Sequence, residues 1–304
     1  MHTGYLERQG ENDGILNAFT VDVEDYFQVG ALKRYVRVED WERFSPRVER
    51  NTCKVMELLG RFDVKATFFV LGWVAQRFPR LVKEIDAAGH EVACHGYAHE
   101  SIYALSERMF RQDLKKAKEI LEDLLGKRVV GYRAPNYSMT RDCLWAADIL
   151  LEEGFVYDSS VLPVRYFRKG LPGADPYPHL LRCPSGALLA EFPPSSISVF
   201  GLTVPVGGGA YLRHLPFNVI RGGIRKIHNK GKPAVMYIHP WEIDHEQPRI
   251  DGVDTLTKIR HYRNLHTTEQ KLGRLLGAFR FGTIQDLREA MSCQGHDPLG
   301  EQAE

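Results

Sequence analysis

The chain has 304 residues, 43% of them hydrophobic and 26% charged, with a formal net charge of +1. That balance suits a globular protein with a sizeable core and gives no electrostatic case for nucleic acid or an anionic membrane as partner. No apolar run is long enough to span a bilayer and the polar start "MHTGYLERQGENDG" has no apolar signal region, so no transmembrane segment and a cytoplasmic location are expected.

Taken in chain order, the pattern alternates. "ILNAFTVDV" (15–23) reads as a strand, and "PRVERNTCKVMELLGRF" (46–62) as an amphipathic helix leading into the strand "VKATFFVLG". "PRLVKEIDAAGH" reads as a helix closing at Gly89, followed by the short strand "EVACH". The helix "LSERMFRQDLKKAKEILEDLLGK" has Ser106 as N-cap and Gly126 as stop. "VVGYRAP" reads as a strand, "TRDCLWAADILLEEG" as a helix between Thr140 and Gly154, and "FVYDSS" as a strand. Between 163 and 212 the alternation breaks into a Pro- and Gly-rich stretch with short β-like runs such as "LLAEFPPSSISVFGLTVPV", read as an insertion or irregular strands over one mouth of a barrel. It resumes with a helix near 214–229, the strand "AVMYIH", a long polar loop from Pro240 to about His266, and a helix near 267–278.

Strands alternating with helices imply a parallel sheet, and over this length a closed or nearly closed α/β barrel. No GxGxxG follows the first strand, which argues against an open dinucleotide-binding sheet. One domain over 15–290 is expected, with an extension from about 240 and tails at 1–14 and 291–304. Five scattered cysteines without a CxxC fit reduced thiols rather than a disulfide framework.

In a parallel barrel the reactive groups gather at the C-terminal ends of the strands. Those ends read "DVED" (Asp22, Glu24, Asp25), "CHGYAH" (His95, His99), "YRAPNY" (Arg133, Asn136, Tyr137), "YDSS" (Asp158) and "YIHPWE" (His239, Trp241). Singly, each has an ordinary explanation: an Asp caps a helix, an Arg makes an ion pair, a His is a satisfied polar residue. Together they make a set of two imidazoles and a carboxylate, which suits a divalent ion with open positions for water and substrate. Strand alternation puts Asp22 and Glu24 on one face and Asp25 on the other, favouring Glu24 as ligand with Asp25 as the alternative. Tyr26, Phe27, Tyr137 and Trp241 lie beside these groups. Tyr26, Tyr137 and Trp241 are candidates for substrate binding, and Phe27 reads as core. "VGGGAYL" (206–212) allows either a close backbone approach, such as to a polymer, or a flexible turn.

The ordered stretches "FTVDVEDYFQVG", "ATFFVLGW", "GHEVACHGYAH", "GYRAPNYS", "EEGFVYDSSV", "MYIHPWEID" and "RHYRNLHTTEQKL" resemble the polysaccharide deacetylases with the NodB homology domain (carbohydrate esterase family 4). Within them the chain is most similar to the deacetylases of bacterial exopolysaccharide and exosortase loci. The resemblance implies a distorted (β/α) barrel that removes acetyl groups from an N-acetylated polysaccharide or its lipid-linked precursor. It implies Asp22 as catalytic base, His95 and His99 as metal ligands, Arg133 as the arginine orienting the base, and His239 as general acid. Asp158 is a candidate to hold the His239 imidazole, and the Asn136 backbone N–H a candidate donor to the oxyanion. The metal would be Zn2+ first, with Co2+, Ni2+ or Mn2+ as alternatives. The sequence departs from the family in reading Asp-Val-Glu-Asp where two adjacent aspartates are common, and in having Asn136 where tyrosine is common. Three competing readings are an allantoinase-like amidohydrolase of the same fold, a non-haem iron oxygenase, and a non-catalytic carbohydrate-binding protein.

Overall fold

Ten strands and helices follow one another along the first half of the chain, alternating except for one pair of consecutive helices. The computed structural model describes residues 14–163, 170–199 and 201–293. In turn come β1 (Asn17–Val23), α1 (Val48–Arg61), β2 (Thr67–Val70), α2 (Gly72–Arg77), α3 (Pro79–Ala87), β3 (Glu91–Cys94), α4 (Glu107–Leu125), β4 (Gly131–Tyr132), α5 (Trp145–Glu152) and β5 (Tyr157–Asp158). In α4 the Ser106 hydroxyl accepts from the Met109 N–H at 3.3 Å, and Gly126 ends the helix in a left-handed conformation, φ 65°. Its buried residues Phe110, Leu114, Ala117 and Leu121 recur at helical spacing and face the sheet.

The second half adds β6 (His179–Arg182), β7 (Leu188–Glu191), β8 (Ser196–Val199), β9 (Leu202–Pro205), α6 (Gly209–His214), α7 (Phe217–His228), β10 (Val235–Ile238), α8 (Thr255–Tyr262), α9 (Leu265–Ala278), β11 (Phe281–Gly282) and α10 (Ile284–Cys293). The main sheet runs β10-β1-β2-β3-β4-β5-β7-β6, parallel throughout except for β6 against β7, and β11 pairs with the start of β1. The result is a curled α/β sheet. β1 is buried along its whole length, as a strand covered on both faces must be. Phe19, Val21 and Val23 join the core under the helices, while Ala18 joins Phe69, Ala93, Tyr157, Ala190 and Val235 in a second cluster. α10 adds Ile284 and Leu287 to that second cluster.

Of the two readings of 163–212, the structure bears out strands and corrects the insertion. Residues 179–191 are two strands of the main sheet, and the following segment bridges back to its opposite edge. Ser195 N–H donates to the Val235 carbonyl at 3.0 Å, its hydroxyl accepts from Val235 N–H at 2.8 Å, and Tyr237 N–H donates to the Gly207 carbonyl at 2.7 Å. Among the described residues no strand ladder joins β6 to β10, so these irregular contacts, rather than a regular pair, span the gap. "VGGGAYL" is accordingly neither a loose turn nor a bed for polymer. A Cβ on Gly207 would sit 2.6 Å from the Ser195 N and Val235 O, and one on Gly208 would sit 2.6 Å from the Tyr237 hydroxyl.

The loop expected from Pro240 to His266 contains a 3-10 turn at Pro240–Ile243 and the helix α8. The predicted tails at 1–14 and 291–304 fall almost wholly outside the described residues; 291–293 complete α10. Among the described residues no helix is long and apolar enough to cross a membrane.

Gly207→Ala must therefore displace backbone on two segments and should cost about 2 kcal/mol or more of stability. Gly222→Ala, in the open on α7 with nothing within 4 Å, should instead stabilise by about 0.5–1 kcal/mol. Chemical denaturation of the two variants beside the wild type checks both signs.

Candidate metal centre and active site

Parallel strands place their C-terminal ends side by side, and five of them present polar groups at one mouth. Asp22 is the penultimate residue of β1, His95 follows β3, Arg133 follows β4, Asp158 ends β5 and His239 follows β10. A tight turn, Glu24 N–H to the Asp22 carbonyl at 3.0 Å, brings Glu24 back beside Asp22.

Glu24, His95 and His99 are all buried, and their ligand atoms lie within 4.8 Å of one another. His99 Nε2 is 2.7 Å from Glu24 Oε2. His95 Nδ1 lies 2.7 Å from the Arg133 carbonyl, a bond that puts the proton on Nδ1 and leaves Nε2 as the lone-pair nitrogen. Burial lowers the His95 pKa to about 4, so the ring is neutral at physiological pH, as a ligand must be. Burial alone would raise the Glu24 pKa, but the His99 and His239 rings beside it hold it well below the usual carboxylate range. Two imidazole nitrogens and one carboxylate oxygen fit a divalent cation.

Asp25 is not part of this cluster. Its Oδ2 accepts from the N–H groups of Arg47 at 2.6 Å and Val48 at 2.9 Å, and its Oδ1 from Tyr26 N–H at 2.8 Å. It therefore caps α1 from 22 residues away. Burial, partly offset by those N–H donors, lifts its pKa to about 6.

Asp22 is held on one side. Arg133 Nη1 donates to its Oδ1 at 2.6 Å and to Thr20 Oγ1 at 2.7 Å, while Nε and Nη2 reach the Ser159 carbonyl and hydroxyl. The guanidinium stands 4.0 Å above the Phe69 ring, with Tyr137 and Tyr237 at 5.5 and 5.8 Å. Tyr137 thus walls the arginine and, being buried, offers no open face to a sugar. Asn136, at φ 61°, directs its side-chain amide to the Ser101 hydroxyl at 3.2 Å.

His239 faces the carboxylates across the mouth, its Nε2 3.3 Å from Glu24 Oε1 and 3.9 Å from Asp22 Oδ2. With 20% of its side chain exposed, it is the most open of these groups. Burial works against its charge, but Glu24 and Glu242 outweigh it and lift the pKa to about 9.

Asp158 does not hold the His239 ring. It lies beside Glu191 in the wall, bonded to the Ser160 hydroxyl. The residue against His239 Nδ1 is Glu242, at 3.1 Å. Glu242 escaped sequence reasoning although it stands three residues after His239; a Pro at the first position of that turn was the available signal. Tyr26 and Trp241 also differ from expectation. Tyr26 is buried edge-on against Phe27 and Phe44. Trp241 is stacked between His239 and His261 at 5.3 and 4.3 Å, and its indole N–H points to Glu24 Oε1 at 3.3 Å. Neither has a face left for a ligand.

The fold and the cluster define an α/β barrel-type protein with a candidate divalent-metal centre at its strand ends. Residues 41–150 match the polysaccharide deacetylase family, and residues 159–289 match a family described only as a domain of unknown function, DUF3473. The two matches are consecutive and do not overlap. It is 34% identical over 109 residues to a Helicobacter pylori protein named peptidoglycan deacetylase, covering 36% of each chain. It is 36% identical over 98 residues to a Bacillus cereus peptidoglycan-N-acetylglucosamine deacetylase, covering 32% of this chain and 36% of that one. The chain spans about a third of the length of these curated relatives. Among solved structures, a Mycobacterium smegmatis candidate polysaccharide deacetylase superposes with a TM-score of 0.64 at 21% identity, covering 92% of this chain and 91% of that one. The allantoinase Puue superposes with a TM-score of 0.60 at 16% identity, covering 96% and 95%. At these identities the likeness is one of fold.

Glu24→Gln should weaken Zn2+ binding by more than about 100-fold, beyond the loss typical of an outer-shell change. Asp25→Ala should keep the metal and lose about 1–2 kcal/mol of stability through the α1 cap. Metal titration with calorimetry, paired with thermal melts, separates the two carboxylates.

Proposed function

We propose that this protein is a metal-dependent hydrolase that removes N-acetyl groups from an N-acetylated polysaccharide or its lipid-linked precursor. One observation carries the reading: a carboxylate, Asp22, is clamped by a buried arginine on one oxygen and faces the Glu24–His95–His99 cluster and His239 with the other. The polysaccharide deacetylase match over 41–150, which contains His95, His99 and Arg133, supports the same chemistry. The order of motifs along the chain favours a bacterial exopolysaccharide as the polymer.

Glu24, His95 and His99 would hold the ion, Zn2+ before Co2+, Ni2+ or Mn2+. When bound, such an ion acidifies water and polarises an acetyl carbonyl. Arg133 pairs with Asp22 and fixes Oδ1, so that Oδ2 is the oxygen able to take a proton from the attacking water. The water oxygen joins the acetyl carbon and the C–N bond breaks. The leaving nitrogen must gain a proton as it departs, and His239 Nε2 is the nearest donor on the open side. The products are acetate and a free amine.

Acetate release from a panel of N-acetylated oligosaccharides tests this. The Zn2+-loaded protein should release acetate, chelator should stop it, added Zn2+ should restore it, and Asp22→Asn should slow it by about 100-fold or more. Release of product from allantoin and from none of the sugars would overturn the polysaccharide reading in favour of a small-amide hydrolase.

A further inference from the structure

We infer that residues 159–289, the region matching a domain of unknown function, supply the proton-donating half of the site, with Glu242 and Arg213 as the positioning pair for His239. The inference rests on the deacetylase reading above and adds residues that nothing else assigns to it.

The base and metal cluster come from elements before residue 134: Asp22, Glu24, His95, His99 and Arg133. The groups on the Nδ1 side of the His239 ring, and the ring stacked on it, come from after residue 206. Glu242 Oε2 accepts from the His239 backbone N–H at 3.0 Å and lies 3.1 Å from its Nδ1. The other carboxylate oxygen, Oε1, accepts from Arg213 Nε at 2.8 Å. Arg213 is itself buried. Its Nη1 donates to the carbonyls of His261 and Arg263 at 3.0 Å, and its Nη2 to that of Arg260 at 3.1 Å. The arginine thus ties the C-terminal end of α8 to Glu242. Trp241, stacked on His239, sets the plane of the ring. Gly209 completes the fit, since a Cβ there would lie 1.7 Å from Glu242 Oε2.

An imidazole has two nitrogens. With Nδ1 bonded to Glu242, the proton on that side is fixed and Nε2 is the one turned toward Asp22 and Glu24. A ring flipped about its Cβ–Cγ bond would put the carbon Cε1 where Nε2 stands and carry no acid where the amine departs. Glu242 touches neither the metal cluster nor the reacting atoms. Its effect passes through His239, and it takes up no proton: the proton leaves Nε2 for the amine nitrogen and is replaced from solvent. Arg213 keeps Glu242 ionised in a buried site, where an unpaired carboxylate would be costly.

Two measurements on the metal-loaded full chain test this. The first compares an N-acetylated oligosaccharide, whose amine must be protonated to leave, with 4-nitrophenyl acetate, whose phenolate leaves without a proton. Glu242→Gln should lower kcat on the amide by about 100-fold with KM nearly unchanged, and should leave the aryl ester within about threefold. Glu242→Asp, which keeps the charge, should recover part of the amide rate. Equal losses on both substrates, or none on the amide, would overturn the positioning role. The second measurement reads the 15N imidazole shifts of His239, assigned with His239→Asn. A protonated Nδ1 in the wild type that Glu242→Gln shifts supports the pair, and an unchanged ring spectrum overturns it. A wild type that releases no acetate from any amide but passes this second test would refute the deacetylase reading and leave the positioning pair standing.

Discussion

The buried guanidinium of Arg133 is the constraint around which the site is organised. A charge with no exposure costs several kcal/mol unless it is paired and its donors are filled. Here Asp22, Thr20 and Ser159 fill them, from β1 and from the segment after β5, and the Phe69 ring lies against the guanidinium face. The same residue's carbonyl receives the His95 Nδ1 proton. One side chain and one carbonyl therefore orient both a carboxylate and a candidate metal ligand. A loss at 133 would disturb the base and the cluster together.

Arg213 repeats the arrangement from the other half of the chain. It too is buried, holds one carboxylate and satisfies its remaining donors on carbonyls. The two arginine–carboxylate pairs flank His239, Asp22 on its Nε2 side and Glu242 on its Nδ1 side. This explains why the second half of the sequence cannot be a detachable appendage. It spans the gap in the barrel wall through Ser195 and Gly207, and it brings the histidine that faces the first half's carboxylates.

The framework was legible in the sequence because its signals are local. Ser106 and Gly126 mark α4, the apolar run 15–23 marks β1, and the polar residues at strand ends mark the mouth. What was not legible depended on partners far away in sequence. Whether Glu24 or Asp25 joins the cluster is decided by the N-terminus of α1, whose Arg47 and Val48 N–H groups claim Asp25. Asp158 was the candidate to hold the His239 ring, and only the β5–β7 pairing shows it spent against Glu191, while Glu242, three residues after His239, takes that place. The aromatics beside the motifs suggested stacking platforms. Tyr137 and Trp241 are internal because each lies against a charged neighbour, and Tyr26 because it packs on Phe27 and Phe44. The helix α8 was missed outright, since its weak apolar pattern gives the periodicity little to read, and with it went the partners of Arg213 and the His261 ring that stacks on Trp241.

Charge balance joins these observations. Asp22, Glu24 and Glu242 balance the guanidiniums of Arg133 and Arg213 and the imidazolium of His239, whose pKa is lifted to about 9. A divalent cation held by Glu24, His95 and His99 would leave the mouth net positive. An amide entering the site is neutral, whereas hydrolysis develops negative charge on the acetyl oxygen. A net positive site would therefore be better matched to the reacting state of the proposed hydrolysis than to its substrate, which is the direction electrostatic catalysis requires. Removing either arginine would lower that positive charge by one, so the two buried pairs would serve such a reaction through their summed field as well as through the groups they hold.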